Sequence, residues 1–207
     1  MKPRNLVDIY DKLLHELGPQ EWWPADTPFE VVIGAILTQQ TRWTNVEKAI
    51  SDMKEHGLVD PHNLANAEPE HIEGLVRCCG FYRQKASRLR NIARFFVDNP
   101  LDDVFALPVG ELRALMLSLQ GVGNETADSI VLYAADKPKF VIDAYTTRMM
   151  RCVGIEGNYM HLQQLFEEEL PPDVEMFKEY HALIVEYAKK YCGKKRCDTC
   201  PLMQDVN

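Results

Sequence analysis

Apolar residues recur at helical spacing along almost the whole of this 207-residue chain. The first such segment carries Leu6, Ile9, Tyr10, Leu13, Leu14 and Leu17 before Gly18-Pro19 ends it. Steps of three and four residues place side chains on one face of an α-helix, whereas a half-buried β-strand alternates every second residue. The sequence has no alternating run, and only Phe140-Val141-Ile142 is predicted to be a short extended piece. The pattern therefore predicts an all-α fold.

The same periodicity predicts the remaining helices and a division into two lobes. Further helices are predicted over residues 29–37, 46–53, 72–79, 85–97, 109–119, 124–135, 144–153, 162–169 and 176–190. The segment 58–67 is predicted as a turn-rich connection because it contains Pro61, Asn63 and Asn66. We expect two closely packed lobes. One is a helical barrel over residues 26–135, and the other joins residues 1–25 to residues 136–207.

Charge and hydropathy limit the classes of protein to which the chain can belong. No apolar run approaches the roughly 20 residues of a membrane-spanning helix, and no signal-like stretch follows the N-terminus. We therefore predict a cytoplasmic monomer, associated with the nucleoid in a prokaryote. The formal net charge of −8 disfavours a nucleic-acid partner, yet local basic faces at residues 83–94 and 189–196 could hold a phosphate backbone. On charge alone, solvated helix faces are the favoured interpretation of both, so composition neither supports nor excludes DNA binding.

The stretch 119–127 joins two predicted helices by a very short turn with the sequence Leu-Gln-Gly-Val-Gly-Asn-Glu-Thr-Ala. Gly121 and Gly123 permit unusual backbone angles, and Val122 can anchor the turn between the helices. Asn124 is predicted as the N-cap of the second helix, whose free amides suit a phosphate oxygen. A glycine turn alone is also compatible with an ordinary helical hairpin. With apolar residues before it and Thr126 after it, the stretch matches the helix-hairpin-helix motif, which positions a protein on DNA without reading sequence.

Asp143 follows the short extended piece, at the start of the helix predicted from residue 144. Taken alone, it is well explained as a helix N-cap. Its position after the hairpin, in the context Ile142-Asp143-Ala144, resembles the endonuclease III superfamily, whose members carry a helix-hairpin-helix, a glycine- and proline-rich turn and an invariant aspartate. The resemblance extends from Phe29 to the terminal cysteines. It implies a two-lobed fold with a DNA-binding cleft between the lobes.

The resemblance also implies that Asp143 is the catalytic residue of a DNA glycosylase. Cleavage of an N-glycosidic bond builds positive charge on the sugar, which a carboxylate stabilises while it orients the attacking water. The target base must first be flipped out of the duplex. Bifunctional members carry a lysine at the position of Glu125, and its amine forms a Schiff base that a carboxylate cannot form. Glu125 therefore predicts a monofunctional hydrolase that leaves an abasic site.

The three tryptophans of the chain lie close together in the sequence, within Trp22-Trp23-Pro24 and the segment 37–43. Core packing would explain them, but aromatic faces at a loop would also attract a cationic alkylated purine. Both segments look like those of endonuclease III-like 3-methyladenine glycosylases. The base-pocket residues implied by this resemblance are Trp22, Trp23, Pro24 and Trp43. Gln40 would fill the gap left by the flipped nucleotide, unless it is a surface amide.

Three cysteines near the C-terminus, Cys192, Cys197 and Cys200, resemble the loop in which endonuclease III holds a [4Fe–4S] cluster with four cysteines. The first spacing is shorter than usual, and Val206 stands where the fourth cysteine is expected. A cluster completed by another ligand such as Asp205, a zinc ion and a loop of free thiols all stay open. The presence and the absence of a cluster are equally compatible with the sequence.

These observations predict a base excision repair glycosylase that removes an alkylated purine of the 3-methyladenine type from double-stranded DNA. One alternative is the same fold acting on mismatched thymine, uracil or an oxidised purine, which the tryptophans disfavour. The other is a helix-hairpin-helix protein that only binds DNA, which Asp143 disfavours.

Overall fold

The computed structural model describes residues 5–20, 22–194 and 197–204, without the side chains of Lys194, Cys197 and Gln204. Within these residues it contains thirteen α-helices and no β-strand, so the all-α prediction is confirmed. The helices are α1 (Leu6–Leu17), α2 (Pro28–Leu37), α3 (Trp43–Glu55), α4 (Pro61–Asn66), α5 (Pro69–Leu75), α6 (Tyr82–Asp98), α7 (Leu101–Ala106), α8 (Val109–Ser118), α9 (Asn124–Ser129), α10 (Ala144–Cys152), α11 (Tyr159–Glu169), α12 (Val174–Lys190) and α13 (Pro201–Gln204). None of the helices described here combines the length and apolar character needed to cross a bilayer.

The chain divides into two units, which we name by the functional feature each contains. Residues 25–137 form the hairpin unit, and residues 1–24 with 138–207 form the aspartate unit.

The hairpin unit is built around α2, in which every residue from Phe29 to Leu37 is buried. Apart from Glu30, which pairs with Lys54, these residues are apolar or glycine, as expected for a helix that other helices surround. Thr27 caps it by accepting a hydrogen bond from the backbone N–H of Glu30, and Pro28 opens its first turn. Helices α3, α6 and α9 pack on α2, as does a π-helical turn, Ile130–Ala134, that continues α9.

The aspartate unit is built around α12, which packs against α1 and α10. The hydroxyl of Tyr180 donates a hydrogen bond to the carbonyl oxygen of Leu6, 2.8 Å away, which ties the N-terminal helix to α12. Phe140 stacks on Phe166 with ring centroids 4.0 Å apart. The extended segment 140–142 is therefore buried, and it delivers the chain to Asp143 at the start of α10.

The prediction for residues 58–67 is wrong, since this segment contains α4. Asp60 caps α4 by accepting a hydrogen bond from the backbone N–H of Asn63 at 3.0 Å, and Pro61 occupies the first turn. An aspartate followed by proline is a helix start signal. The N–H groups of the first turn have no partner within the helix, so the N–H that proline lacks is not missed there. The predicted helix over 124–135 is only half α-helical, because it changes to the π-helical turn after Ser129.

Candidate active site

Asp143 is the N-cap of α10. Its Oδ1 accepts hydrogen bonds from the backbone N–H of Thr146 at 2.6 Å and from the Thr146 hydroxyl at 2.8 Å. These bonds fix the carboxylate in one orientation at the positive end of the helix. The capping role is therefore real, but both bonds go to one carboxylate oxygen.

The other carboxylate oxygen of Asp143, Oδ2, faces His181 of α12. Nε2 of His181 lies 3.8 Å from it, too far for a hydrogen bond but close enough for attraction when the imidazole is protonated. Burial tends to raise the pKa of the Asp143 carboxyl, but His181 and the bonds from Thr146 outweigh burial, so this pKa lies below its ordinary value of 3.8. Asp143 is therefore an anion at neutral pH.

Trp22 lies next to this pair, in the same unit. Its ring centroid is 5.9 Å from the His181 ring and 6.5 Å from the Trp23 ring, both in edge-to-face contact. The ammonium of Lys189 lies 5.6 Å from the centroid of the Trp22 ring, within the range of a cation–π interaction. Through His181, the tryptophan pair and Asp143 form one connected group of side chains.

The two remaining predicted pocket residues, Pro24 and Trp43, belong to different units. Pro24 is exposed and ends the first segment of the aspartate unit. Trp43 belongs to the hairpin unit, where it is the first residue of α3 and is half-buried. The predicted pocket residues are therefore divided between the two units.

The predicted hairpin is formed by α8 and α9 with a turn over residues 119–123. Gly121 has φ +86°, a left-handed conformation that favours glycine, and Val122 is only 8% exposed, so it anchors the turn. The prediction that Asn124 is the N-cap is wrong, since Gly123 occupies that position. The side-chain oxygen of Asn124 instead accepts a hydrogen bond from Arg113 at 3.1 Å.

Arg113 also joins the two helices of the hairpin. Its Nε and Nη2 donate to the two carboxylate oxygens of Asp128, at 2.6 and 3.2 Å. Asp128 is fully buried. Two hydrogen bonds of this kind hold the guanidinium and the carboxylate in one relative orientation. The ion pair therefore sets the angle between α8 and α9. The two residues are fifteen positions apart, and no local pattern in the sequence predicts their contact.

Gln40 and Phe81 share an unusual conformation in the hairpin unit. Both are exposed, with φ of +54° and +45°, which a bulky residue keeps only where surrounding contacts impose it. The buried ammonium of Lys85 donates to the carbonyl oxygens of Leu37 at 2.9 Å and of Cys79 at 2.7 Å. Burial lowers the pKa of Lys85. Because one ammonium binds both carbonyl oxygens, Leu37 and Cys79 lie close together. The loops that carry Gln40 and Phe81 therefore begin next to each other.

Phe81, which the sequence does not single out, is an exposed aromatic residue near two arginines. The side chain is 65% exposed. The next residue, Tyr82, has the guanidinium groups of Arg77 and Arg83 at 5.1 and 5.7 Å from its ring centroid. Apolar side chains can enter between base steps, while arginines hold the phosphates on either side.

The terminal cysteine segment supplies three thiolates, Cys192, Cys197 and Cys200, of which the structure describes the side chains of Cys192 and Cys200. Cys200 is buried with its Sγ 3.2 Å from the hydroxyl of Tyr187, and Cys192 is half-buried. The side chain of Cys197 and residues 205–207 lie outside the described part. Among the described residues, no group of three or more His, Cys, Asp or Glu side chains could hold a metal ion. A [4Fe–4S] cluster needs four such ligands, so we assign no chemical step to one.

A comparison with models of protein families assigns this chain to a known family. The model of HhH-GPD superfamily base excision DNA repair proteins matches residues 33–172, which is more than half of the chain and includes both the hairpin and Asp143. The chain belongs to the HhH-GPD superfamily. The predicted resemblance to the endonuclease III group is thereby confirmed, and this HhH-GPD protein is a DNA glycosylase of base excision repair.

Individual proteins agree with the HhH-GPD assignment. The chain is 47% identical over 207 residues to "Putative DNA repair glycosylase MJ1434" of Methanocaldococcus jannaschii, covering 96% of this chain and 94% of that one. It is 29% identical over 177 residues to endonuclease III of Thermotoga maritima, covering 84% and 79% of the two chains. The crystal structure of H. pylori 3-methyladenine DNA glycosylase (MagIII) bound to 1,N6-ethenoadenine matches with a TM-score of 0.80 and 26% identity, covering 90% of this chain and 98% of that one.

His181 is the residue of this HhH-GPD site that sequence reasoning missed most clearly. It lies in a buried stretch of α12 that continues through the apolar residues 182–185. A histidine in such a stretch is more often a core residue than a functional one, and the sequence gives no sign that α12 passes Asp143. Only the packing of α12 on α10 reveals the pair.

Proposed function

We propose that this chain hydrolyses the N-glycosidic bond of an alkylated purine of the 3-methyladenine type in duplex DNA and leaves an abasic site. The observation that carries the proposal is the group formed by Asp143, His181 and Trp22, in which His181 connects an aromatic ring to an ionised carboxylate. An aromatic face suits a flat cationic base. A carboxylate suits the positive charge that develops on the sugar.

The low pKa of Asp143 favours a substrate whose base leaves without a proton from this residue. A carboxyl group that is ionised at neutral pH is a poor general acid but a good electrostatic stabiliser and water-orienting base. Alkylation of a purine ring nitrogen already gives the base a positive charge, so the base leaves as a neutral molecule. Asp143 would then stabilise the sugar cation and hold the water that attacks it.

The base pocket is proposed to consist of Trp22, Trp23, Pro24 and Trp43. Trp22 supports this role because its ring lies in the same side-chain group as Asp143, connected through His181. Trp23, in edge-to-face contact with Trp22, extends the aromatic surface.

DNA is proposed to be gripped by the hairpin turn and by Gln40. The DNA-contacting residues of the hairpin would be Gly121, Val122, Gly123, Asn124 and Thr126. Val122 and Thr126 are only 8% and 6% exposed, so they would act through their backbone and by supporting the turn. Gly123 and Asn124 are exposed and can approach a phosphate directly.

The proposal is tested with duplexes that each carry one lesion: 3-methyladenine, uracil, thymine opposite guanine, or 8-oxoguanine. The free base released in a single turnover is identified by chromatography. We expect release from the 3-methyladenine duplex at a rate at least about tenfold above the others, since only that base carries the charge that the aromatic face attracts. Faster release of uracil, thymine or 8-oxoguanine would contradict the alkylated-purine assignment. Tight binding with no release of any base would leave only a DNA-binding role.

We propose that the exposed side chain of Phe81 enters between the bases of the duplex and assists base flipping. Replacement of Phe81 by alanine is therefore expected to slow base release from duplex DNA and to spare release from single-stranded DNA. An aromatic side chain stacked on a base contributes about 1–3 kcal/mol, so the duplex rate should fall by roughly 5- to 150-fold. A single-stranded substrate needs little unstacking and loses less. Initial rates on the two forms of the same alkylated oligonucleotide measure the difference.

Met160→Ala is the matched control for Phe81→Ala. Met160 is also a large apolar side chain that is more than half exposed, but it lies on α11 of the aspartate unit. Its replacement should change neither rate. Equal losses on duplex and single-stranded DNA for Phe81→Ala would show that Phe81 does not assist base flipping.

A further inference from the structure

The turn of the hairpin is held from outside by one side-chain amide. Gln39 lies in the loop after α2, 82 positions before Gly121 in the sequence. Its Nε2 donates hydrogen bonds to the carbonyl oxygen of Gly121 and to the hydroxyl of Thr126, both at 3.0 Å. The amide therefore bridges the turn and the first turn of α9, and both contacts lie within the hairpin unit.

Arg88 of α6 determines which way this amide points. Its Nη1 donates to Oε1 of Gln39. Since a guanidinium has donors only, the amide oxygen must face Arg88, and the NH₂ group is left to face the hairpin. The stem of Arg88 also fills the space beside Gly121, where a Cβ would collide with Cγ, Cδ and Nε of Arg88. Three features therefore define the position of Gly121: its positive φ, the hydrogen bond from Gln39 and the contact with the stem of Arg88.

We propose that Gln39, oriented by Arg88, is a positioning residue that holds the hairpin turn in the shape that receives a DNA phosphate. A turn with two glycines is flexible when nothing restrains it, and ordering it on binding would weaken affinity. Gln39 orders it beforehand. This inference rests on the proposed function only in that the hairpin contacts DNA, and it does not depend on which base is removed.

The first test replaces Gln39 by methionine, which keeps the length of the side chain and removes both hydrogen bonds to the hairpin. The dissociation constant for a duplex with an abasic-site analogue should rise by roughly 5- to 30-fold, the effect of losing about two ordinary hydrogen bonds. The single-turnover rate of base release at saturating DNA should stay within about twofold of wild type. The methionine carries no charge, as glutamine does not, so electrostatic attraction to DNA is unchanged.

Asn63→Leu is a closely matched control in the same unit. Nδ2 of Asn63 donates to the carbonyl oxygen of Gly57 at 2.9 Å, and Gly57 also has a positive φ, +68°. This variant removes an amide that restrains a glycine turn elsewhere in the fold, so DNA affinity should not change. Arg88→Lys should keep part of the affinity that Arg88→Met loses, because lysine can still donate to Oε1 of Gln39.

A scan of the DNA backbone with single neutral methylphosphonates identifies the phosphate that depends on Gln39. Wild type should lose affinity at the phosphate that the hairpin grips, and Gln39→Met should lose markedly less at the same position, so the two changes are not additive. Unchanged affinity of Gln39→Met, an equal loss in Asn63→Leu, a loss in rate rather than affinity, or an identical methylphosphonate profile would each overturn the proposal. Binding is measured on an abasic analogue, so a failure to release any tested base would defeat the proposed function and leave this test intact.

Discussion

Asp143→Asn is expected to slow base release by about 10²- to 10⁴-fold, the range found when a charge-stabilising or water-activating group is removed. Asparagine is as good an N-cap as aspartate, so the hydrogen bonds from Thr146 can persist and the helix start is preserved. What disappears is the negative charge beside the sugar. Single-turnover release on the 3-methyladenine duplex, with the dissociation constant measured in parallel, separates this loss from any loss of binding.

Asp173→Asn supplies the control for a capping aspartate without a catalytic role. Asp173 is the N-cap of α12 in the same unit, and its Oδ1 accepts a hydrogen bond from the backbone N–H of Met176 at 2.8 Å. Its replacement should leave the rate within about twofold of wild type. If Asp143→Asn also stayed within tenfold of wild type, the catalytic assignment would be wrong.

The pH dependence of base release follows from the same carboxylate. The pKa of Asp143 is lowered in the folded protein, so its active, ionised form persists as the pH falls until that depressed pKa is reached, below 3.8. We therefore expect Asp143 to contribute no loss of rate between about pH 5 and pH 8, where an unperturbed carboxyl is also ionised. An acidic limb that moves with substitution at position 143 and lies above pH 5 would contradict this assignment.

The features predictable from the sequence are those set by local chemistry. Burial of one helical face imposes the three- and four-residue spacing that identified α1, α6 and α12, whereas a nearly continuous apolar run identified α2. The flexibility of glycine identified the turn at Gly121. The position of Asp143 at the start of α10 followed from the change from an extended apolar piece to a helical pattern.

The missed features depend on contacts between distant parts of the chain. Gln39 and Gln40 are neighbours with similar local signals, yet the structure turns Gln39 towards the hairpin and leaves Gln40 exposed. That difference arises because Arg88, on α6, donates a hydrogen bond to the amide oxygen of Gln39 and so permits only one orientation of this amide. The same limitation hid His181. Helical periodicity shows that a residue is buried, but it does not show which side chain lies opposite.

The DNA strand is expected to stay intact after the base has been released. The resemblance implies that strand cleavage by bifunctional members requires an amine that forms a Schiff base with the sugar. The position implied for that amine is occupied here by Glu125, which is exposed in the first turn of α9. A carboxylate forms no such intermediate. Two lysines of the aspartate unit are engaged in ion pairs: Lys139, four positions before Asp143, with Glu167 at 3.0 Å, and Lys189, beside Trp22, with Glu186 at 2.7 Å. We therefore expect water to be the nucleophile and an abasic site to be the product.

The most direct test of hydrolysis by Asp143 is a single-turnover reaction on a strand-labelled 3-methyladenine duplex, divided into three portions. One is analysed directly, one after treatment with alkali, and one after reduction with borohydride during the reaction. The account predicts an intact strand in the first, cleavage at the lesion in the second, in proportion to the base released, and no protein–DNA adduct in the third. Strand breaks without alkali, or a borohydride-trapped adduct, would contradict it.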